Sequence, residues 1–209
     1  DKYFKQPTNN LQSYIFGQNT FLLSPHSGCR ITVLDLLKLV KLFLNNGTYY
    51  NGKKEVKLLS ESSIKMMLNP TWEYDGENGD NFFGLFNKWG LGLHIIRGKR
   101  CEDMIYENEV LYGHIGQAYG LIGSLFFNIK ENHSVILILN GYKNKKYKNG
   151  IKSAFYKIQE EVFDIAYNYI NKGYEKKINL LGLEFDQITN NSMFYLKNNY
   201  GDYFKQVNF

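Results

Sequence analysis

Three strand-length segments follow one another closely in the second half of the chain, and they constrain the fold more than any other feature. They cover residues 112–117, 121–129 and 134–140. Short turn-like stretches such as Lys130-Glu131-Asn132 separate them. Connections this short join antiparallel neighbours, because a parallel pair needs a crossover of a dozen or more residues. The region therefore predicts an antiparallel meander.

A long amphipathic helix is predicted after the meander. The apolar side chains that recur at helical spacing from Ser153 onwards are Phe155, Ile158, Val162, Ile165 and Tyr169. Gly173 ends this pattern. A helix of this kind can lie across a sheet, so the sequence predicts an α+β fold in which an antiparallel sheet packs against a long C-terminal helix.

Two shorter helices are predicted before the strands. Thr32 and Asp35 have the spacing of a capping box, and the apolar face that follows stops at Asn46-Gly47. Ser60 is suited to cap a second helix, which must end before Pro70. Residues 93–96, preceded by several glycines, predict a further strand with close backbone approaches.

The two ends of the chain differ from the middle. Residues 1–24 are polar and irregular and predict a loop that leads to one short strand. Residues 172–209 show no clear period apart from an apolar run at 178–183, so they are assigned as an extension of unknown fold. Residues 25–171 are left as the main domain.

The composition is that of a folded chain without a membrane-spanning helix. Hydrophobic residues make up 44% and charged residues 22% of the 209 residues, close to globular averages. The longest unbroken aliphatic run, Val135–Leu139, is far shorter than the roughly 20 residues that span a bilayer. The formal net charge is +5, but only three of the 25 basic residues are Arg, the side chain favoured for phosphate and base recognition.

A lysine-rich run between residues 143 and 157 is the main basic feature, with Tyr142 and Tyr147 next to its lysines. Such a pattern can bind phosphates or stack bases, but it is more typical of a solvated loop. We therefore predict no nucleic-acid partner. The spacing of Cys29 and Cys101 fits neither a zinc site nor a dithiol motif, and whether they form a disulfide stays open. The four histidines, none of them at i, i+4, predict no metal site either; they are His26, His94, His114 and His133.

The segment Gly113-His114-Ile115-Gly116-Gln117-Ala118-Tyr119-Gly120 is the most informative part of the chain for function. Because glycine has no side chain, the backbone of this segment is accessible next to the imidazole of His114, and a ligand could approach the main chain closely. The alternative is a histidine in a turn between strands, satisfied by local hydrogen bonds.

Five short motifs follow one another in residues 25–171. They are Gly28-Cys29-Arg30-Ile31-Thr32, Leu59-Ser60-Glu61-Ser62-Ser63, Trp89-Gly90-Leu91-Gly92-Leu93, Gly113-His114-Ile115-Gly116 and Ser153-Ala154-Phe155-Tyr156. In this order the chain resembles the penicillin-recognising serine hydrolases, which include class C β-lactamases, D-alanyl-D-alanine carboxypeptidases and related esterases. The fourth motif is similar to the His-x-Gly variant of the family's Lys-Thr-Gly box.

The resemblance implies a partial β-lactamase-like fold and covalent acyl transfer by a serine of a Ser-x-x-Lys box. His114 would be catalytic at the cleft edge, the backbone N–H of Gln117 would be one oxyanion donor, and Gly116 and Tyr119 would bind substrate. The substrate would be a β-lactam, a D-Ala-ended peptide or an ester, with no metal or organic cofactor. A place outside the cytoplasm, in the cell envelope or secreted, is also implied.

The two upstream boxes of the family are not found at their expected places. Ser62-Ser63-Ile64-Lys65 matches Ser-x-x-Lys, but this segment already resembles a helix that lies downstream of both boxes. Tyr106-Glu107-Asn108 matches Tyr-x-Asn, but the family places much of a helical subdomain between that box and the position of His114. We therefore interpret Ser62 as an exposed residue in the first turn of a helix.

The sequence leaves two classes of function open. In the first, the chain is the C-terminal part of a serine hydrolase, is inactive alone, and needs the missing N-terminal part of the same domain as its partner. In the second, it is a non-catalytic ligand-binding module resembling a penicillin-binding protein. Covalent labelling of the full-length product by a β-lactam would separate them.

Overall fold

The computed structural model describes residues 31–50, 54–118, 120–140, 150–172, 178–180, 183–188 and 193–197. The helices are α1 (Val33–Leu44), α2 (Glu61–Leu68) and α3 (Lys157–Lys172). The strands are β1 (Thr48–Tyr50), β2 (Glu55–Lys57), β3 (Trp72–Glu73), β4 (Lys88–Trp89), β5 (His94–Ile96), β6 (Leu111–Ala118), β7 (Leu121–Asn128), β8 (His133–Leu139), β9 (Ile178–Leu180), β10 (Leu183–Ile188) and β11 (Met193–Lys197). The α+β class is confirmed.

The main sheet is an antiparallel meander of six strands in the order β3-β4-β5-β6-β7-β8. The three long strands, β6, β7 and β8, match the three predicted segments to within one residue or so at each end. Gly113 lies opposite Phe126 on β7, and Phe126 lies opposite Val135 on β8. The predicted meander is therefore confirmed, because turns this short leave antiparallel pairing as the available arrangement.

The two shorter helices begin at their predicted caps. The Thr32 side chain accepts a hydrogen bond from the Asp35 N–H at 3.2 Å, and the Ser60 Oγ accepts one from the Ser63 N–H at 3.0 Å. Each bond satisfies a main-chain donor that the first turn of a helix leaves without a partner. The capping predictions are confirmed.

The helix predicted from Ser153 begins four residues later, at Lys157. Residues 153–156 are buried in the loop before it, and the Glu160 carboxylate accepts hydrogen bonds from the Ser153 N–H and Oγ, each at 2.7 Å. Phe155 therefore fits the helical period by position, but it is buried as part of the approach to the helix. Periodicity alone cannot separate these two cases.

The sheet buries both of its faces, but not along its whole length. On the first side, called the α3 face, Ile96, Leu111 and Phe126 pack with Phe155 and Phe163. On the second side, called the α1 face, Phe127 packs with Val40, Phe43 and Ile64, and the rings of Phe43 and Phe127 stack at 5.1 Å. Because side chains alternate along a strand, each residue of β6 is assigned to one of these faces.

The remaining strands form two small sheets. β1 and β2 make an antiparallel hairpin directly after α1. In the C-terminal extension, β9, β10 and β11 form an antiparallel sheet in the order β11-β10-β9. The sequence analysis found one apolar run there and no fold, because alternation of apolar and acidic residues in β10 extends over only Leu183 to Asp186. Residues 168–209 form a second compact unit, distinct from residues 1–167.

Within the described residues, no helix has the length and apolar character needed to cross a bilayer.

Candidate functional site

His114 lies in the middle of β6, exposed on the α1 face. It stands opposite Leu125 of β7, and the Trp89 ring lies beside it with ring centroids 5.3 Å apart. Its Nδ1 contacts the main-chain carbonyl oxygen of Ile115. A carbonyl can only accept, so Nδ1 donates and the neutral ring keeps Nε2 as an acceptor. The predicted local hydrogen bond is present, but the predicted alternative of a turn is wrong, because His114 belongs to a strand.

The two glycines next to His114 have opposite surroundings. A Cβ at Gly113 would overlap the carbonyl oxygen of Leu125 and lie 2.8 Å from the Cα of Phe126. A Cβ at Gly116 would have no atom within 4 Å. Gly113 is therefore required by close approach of two strands, whereas Gly116 leaves open space on the side of the sheet where His114 is exposed.

One edge of β6 extends beyond its neighbour. β5 pairs with β6 only at Leu111, Tyr112 and Gly113, so no described strand pairs with the β5-side edge from His114 to Ala118. On the other side, β7 pairs with β6 all the way to Ala118. An edge of this kind presents main-chain N–H and C=O groups that can pair with an extended ligand, although the Ile115 carbonyl already accepts from His114.

Gln117 directs its side chain to the α3 face, away from His114. Its Nε2 donates to the Tyr156 hydroxyl at 2.7 Å, and the residue lines a cavity of about 20 Å³ together with Ile122 and Gln159. This volume holds about one water molecule. Only the backbone of Gln117, the group assigned to oxyanion binding, can serve a ligand on the His114 side. Tyr119, the second predicted substrate-binding residue, lies outside the described residues.

A second histidine, His94, lies close to this site and was not predicted from the sequence. His94 is fully buried, and its ring stacks on Trp89 at 4.9 Å with an interplanar angle of 17°. Phe86 and Phe126 also pack against it. Neither of its ring nitrogens makes a hydrogen bond of normal geometry among the described residues, although the Leu85 main chain lies close enough to favour the charged ring weakly. Desolvation lowers the pKa of His94 to about 3. The apolar run Leu93-His94-Ile95-Ile96 was the available signal, since an unbroken run is typical of a strand buried on both faces.

The structure does not bring Ser62 into contact with His114. Ser62 is exposed in the first turn of α2, and its Oγ shares a hydrogen bond of 2.7 Å with the Ser60 Oγ. Lys65 lies in the last turn of the same helix. The interpretation of Ser62 as an exposed residue of a first turn is therefore confirmed.

Tyr106 is also separate from the candidate site. It is buried, its ring packs against His133 and Tyr167, and its hydroxyl has no hydrogen-bond partner among the described residues. Desolvation raises the pKa of this phenol above its ordinary value. A phenol in these surroundings is shielded from any ligand that binds beside the exposed His114.

The remaining histidine and cysteine predictions can be placed in part. His133 Nε2 lies 3.0 Å from the Glu109 carboxylate. The two residues are 24 positions apart in the sequence, so this pairing could not be predicted from a local motif. Among the described residues, no group of three histidine, cysteine or acidic side chains is placed to hold a metal ion. Cys101 is exposed and forms no disulfide within the described part of the chain, and Cys29 and His26 lie outside that part.

The lysine-rich run lies largely outside the described residues, which exclude positions 141–149. The two lysines at its described end are paired with carboxylates, Lys152 with Asp164 and Lys157 with Glu161. Pairing of this kind is typical of a solvated surface.

Comparison of the chain with protein-family models, with curated proteins and with solved structures finds no match in any of the three.

Proposed function

We propose that this chain supplies one wall of the substrate cleft of a serine acyl-hydrolase related to the penicillin-recognising enzymes. The observation that carries the proposal is the edge of β6 from His114 to Ala118, which extends beyond β5 beside an exposed imidazole. The open space at Gly116 lets a ligand approach the strand without meeting a side chain. An acyl substrate in an extended conformation can pair with this edge.

The proposed chemistry divides between the strand and a nucleophile from elsewhere. The backbone N–H of Gln117 would donate to the oxyanion that forms when a serine attacks the acyl carbonyl. His114 can accept a proton or hydrogen bond at Nε2, because its Nδ1 is engaged by the Ile115 carbonyl. The attacking hydroxyl and its lysine would come from the N-terminal part of the same domain, and Gly116 and Tyr119 would contact the substrate.

The 209-residue chain alone is expected not to hydrolyse a chromogenic β-lactam or a short-chain ester. Ser62 shares its hydrogen bond with Ser60 and is on α2, so no described contact gives it a general base or an oxyanion donor. Rates with wild type and with Ser62→Ala should both equal the buffer rate. Turnover that Ser62→Ala abolishes would contradict the proposed origin of the nucleophile.

The proposal is tested on a longer form of the protein that includes a Ser-x-x-Lys box upstream. A fluorescent β-lactam or a fluorophosphonate should label its serine, and His114→Ala should slow the labelling about 100-fold, a typical contribution of a positioned acid or base. Met66→Ala is the matched control, because Met66 is exposed on α2. Labelling at the same rate in His114→Ala would remove His114 from the site.

The second candidate function is a ligand-binding module without catalysis. It is favoured by the same edge of β6 considered together with the exposed, isolated position of Ser62. This alternative predicts that the longer form binds an acyl ligand reversibly and forms no covalent adduct. A stable adduct would exclude it.

A further inference from the structure

The open space at Gly116 belongs to a larger depression on the α1 face of the sheet. Gly116 lies directly opposite Gly123 on β7, and Gly123 lies opposite Ile138 on β8. Two glycines side by side leave a stretch of sheet without side chains, which we call the glycine notch. Its Gly116 end is exposed, and the nearest atoms to a Cβ at Gly123 would be at the ordinary contact distance of 3.8 Å. A ligand group can therefore rest directly on the backbone.

The surroundings of the glycine notch are apolar. His114, Leu125 and Ile136 are adjacent in the ladder on one side of it, and Ala118 is opposite Leu121 on the other. Leu121 exposes 36% of its surface, which is a large fraction for a leucine in a strand. The rim is therefore exposed at its Leu121 end, whereas Leu125 and Ile136 at the His114 end pack against the core cluster that contains Val40 and Phe43.

No charged side chain lies on the α1 face of the three long strands. The residues of that face are Tyr112, His114, Gly116, Ala118, Leu121, Gly123, Leu125, Phe127, Ser134, Ile136 and Ile138. A carboxylate placed in the notch would lose water without gaining an opposite charge from these strands. An uncharged alkyl group would instead gain from burial against the leucine and isoleucine side chains.

We infer that the glycine notch selects a neutral substrate, an ester or amide with a short apolar acyl chain, over one that carries a carboxylate. This inference rests on the proposed function and names the substrate class of the same site. The alkyl chain lies over Gly116 and Gly123, between Leu121 and Leu125. The polar end of the ligand lies toward His114, whose Nε2 accepts a hydrogen bond from the N–H of an amide, while an ester end makes no such bond.

Binding can be measured on the 209-residue chain through Trp89, whose ring lies beside His114. Trp72→Phe removes the second of the two tryptophans, so that fluorescence reports on this site. The probes are hexanamide and adipamate, which share the amide end and the chain length, while adipamate carries a carboxylate at the far end of the alkyl chain. Hexanamide should change the emission in a saturable way, with an affinity about ten-fold or more above that of adipamate.

A variant that fills the notch provides the structural test. Gly116→Val places a branched side chain in open space, so the fold should be retained while hexanamide binding falls about ten-fold or more. Met66→Ala, exposed on α2, is the control and should bind like its parent. Circular dichroism and thermal unfolding confirm that each variant is folded.

The outcomes separate this inference from the proposed function. Adipamate affinity equal to or above that of hexanamide would overturn the substrate class, and so would hexanamide binding that survives Gly116→Val. Absence of binding by either probe would also overturn it. None of these results decides the acyl-hydrolase proposal, which fails only if the longer form is not acylated or is acylated independently of His114.

Discussion

Lowering the pH from 7 to 4 is expected to destabilise this protein by about 3 kcal/mol through one buried residue, His94. Desolvation among aromatic rings lowers the folded-state pKa of His94 to about 3, whereas an exposed histidine has a value of 6.5. The unfolded chain therefore takes up the proton first as the pH falls. Stability that depends on neutral His94 is complete above pH 6.5 and is lost progressively toward pH 3.

The charges around His94 increase this sensitivity. His114 and Arg97 both oppose a positive charge on the buried ring, and no described carboxylate contacts it. Near pH 3 the accumulated loss reaches about 4 kcal/mol, which is a large share of the whole stability of many domains. We therefore expect acid unfolding to begin well above the pH at which ordinary carboxylates titrate.

The measurement is urea unfolding between pH 7 and pH 4 for the wild type and for His94→Leu. The variant should lose most of the pH dependence, and it should gain about 1 kcal/mol at pH 7 because two buried nitrogens without partners are removed. Met66→Ala is the control: this side chain is exposed on α2, so the acid sensitivity should persist. A wild type equally stable at pH 7 and pH 4 would contradict the prediction.

A second buried group, Asp103, contributes to the pH dependence of stability in the opposite direction to His94. Asp103 is fully buried, with its carboxylate 3.0 Å from the Arg97 Nε. Desolvation raises the pKa of Asp103, so its protonation favours the folded state as the pH falls. Because Asp103 is present in both proteins, the difference between wild type and His94→Leu isolates the histidine.

Local chemistry explains which parts of the fold could be predicted from the sequence. The caps at Thr32 and Ser60 and the turns of the meander depend on residues within three or four positions of each other. The start of α3 was predicted too early, because Ser153 bonds to Glu160 across seven positions and so stays in the loop. Contacts at longer range have no such local signature.

The sequence pattern predicted which segment carries the candidate site, but it did not predict the surroundings of that segment. His114 was identified from its glycine neighbours, and the structure finds it exposed on a strand. The extension of β6 beyond β5 could not be foreseen, because strand pairing depends on where a distant partner ends. His94 and Tyr106 show the same limit, since burial of a polar side chain is decided by the elements that cover it.

A matched pair of glycine substitutions should separate the structural glycine of β6 from the one at the site. Gly113→Ala is expected to destabilise the protein by about 3 kcal/mol or more, because the added Cβ overlaps the Leu125 carbonyl oxygen in an inner strand pair. Gly116→Ala should be neutral or stabilising by about 0.5 kcal/mol, since the methyl group enters open space and the strand loses glycine's flexibility. Chemical denaturation of both variants measures the difference.

The contrast depends on which atoms would have to move. At Gly113 the obstructing atoms belong to the backbone of β7, including the Cα of Phe126, so relief requires the β6 and β7 strands to separate. Phe126 is fully buried on the α3 face, so that separation would also disturb the hydrophobic core. Equal stability of the two variants would mean that β6 and β7 are not in the register found here. In that case the opposition of Gly116 and Gly123, on which the glycine notch depends, would fail with it.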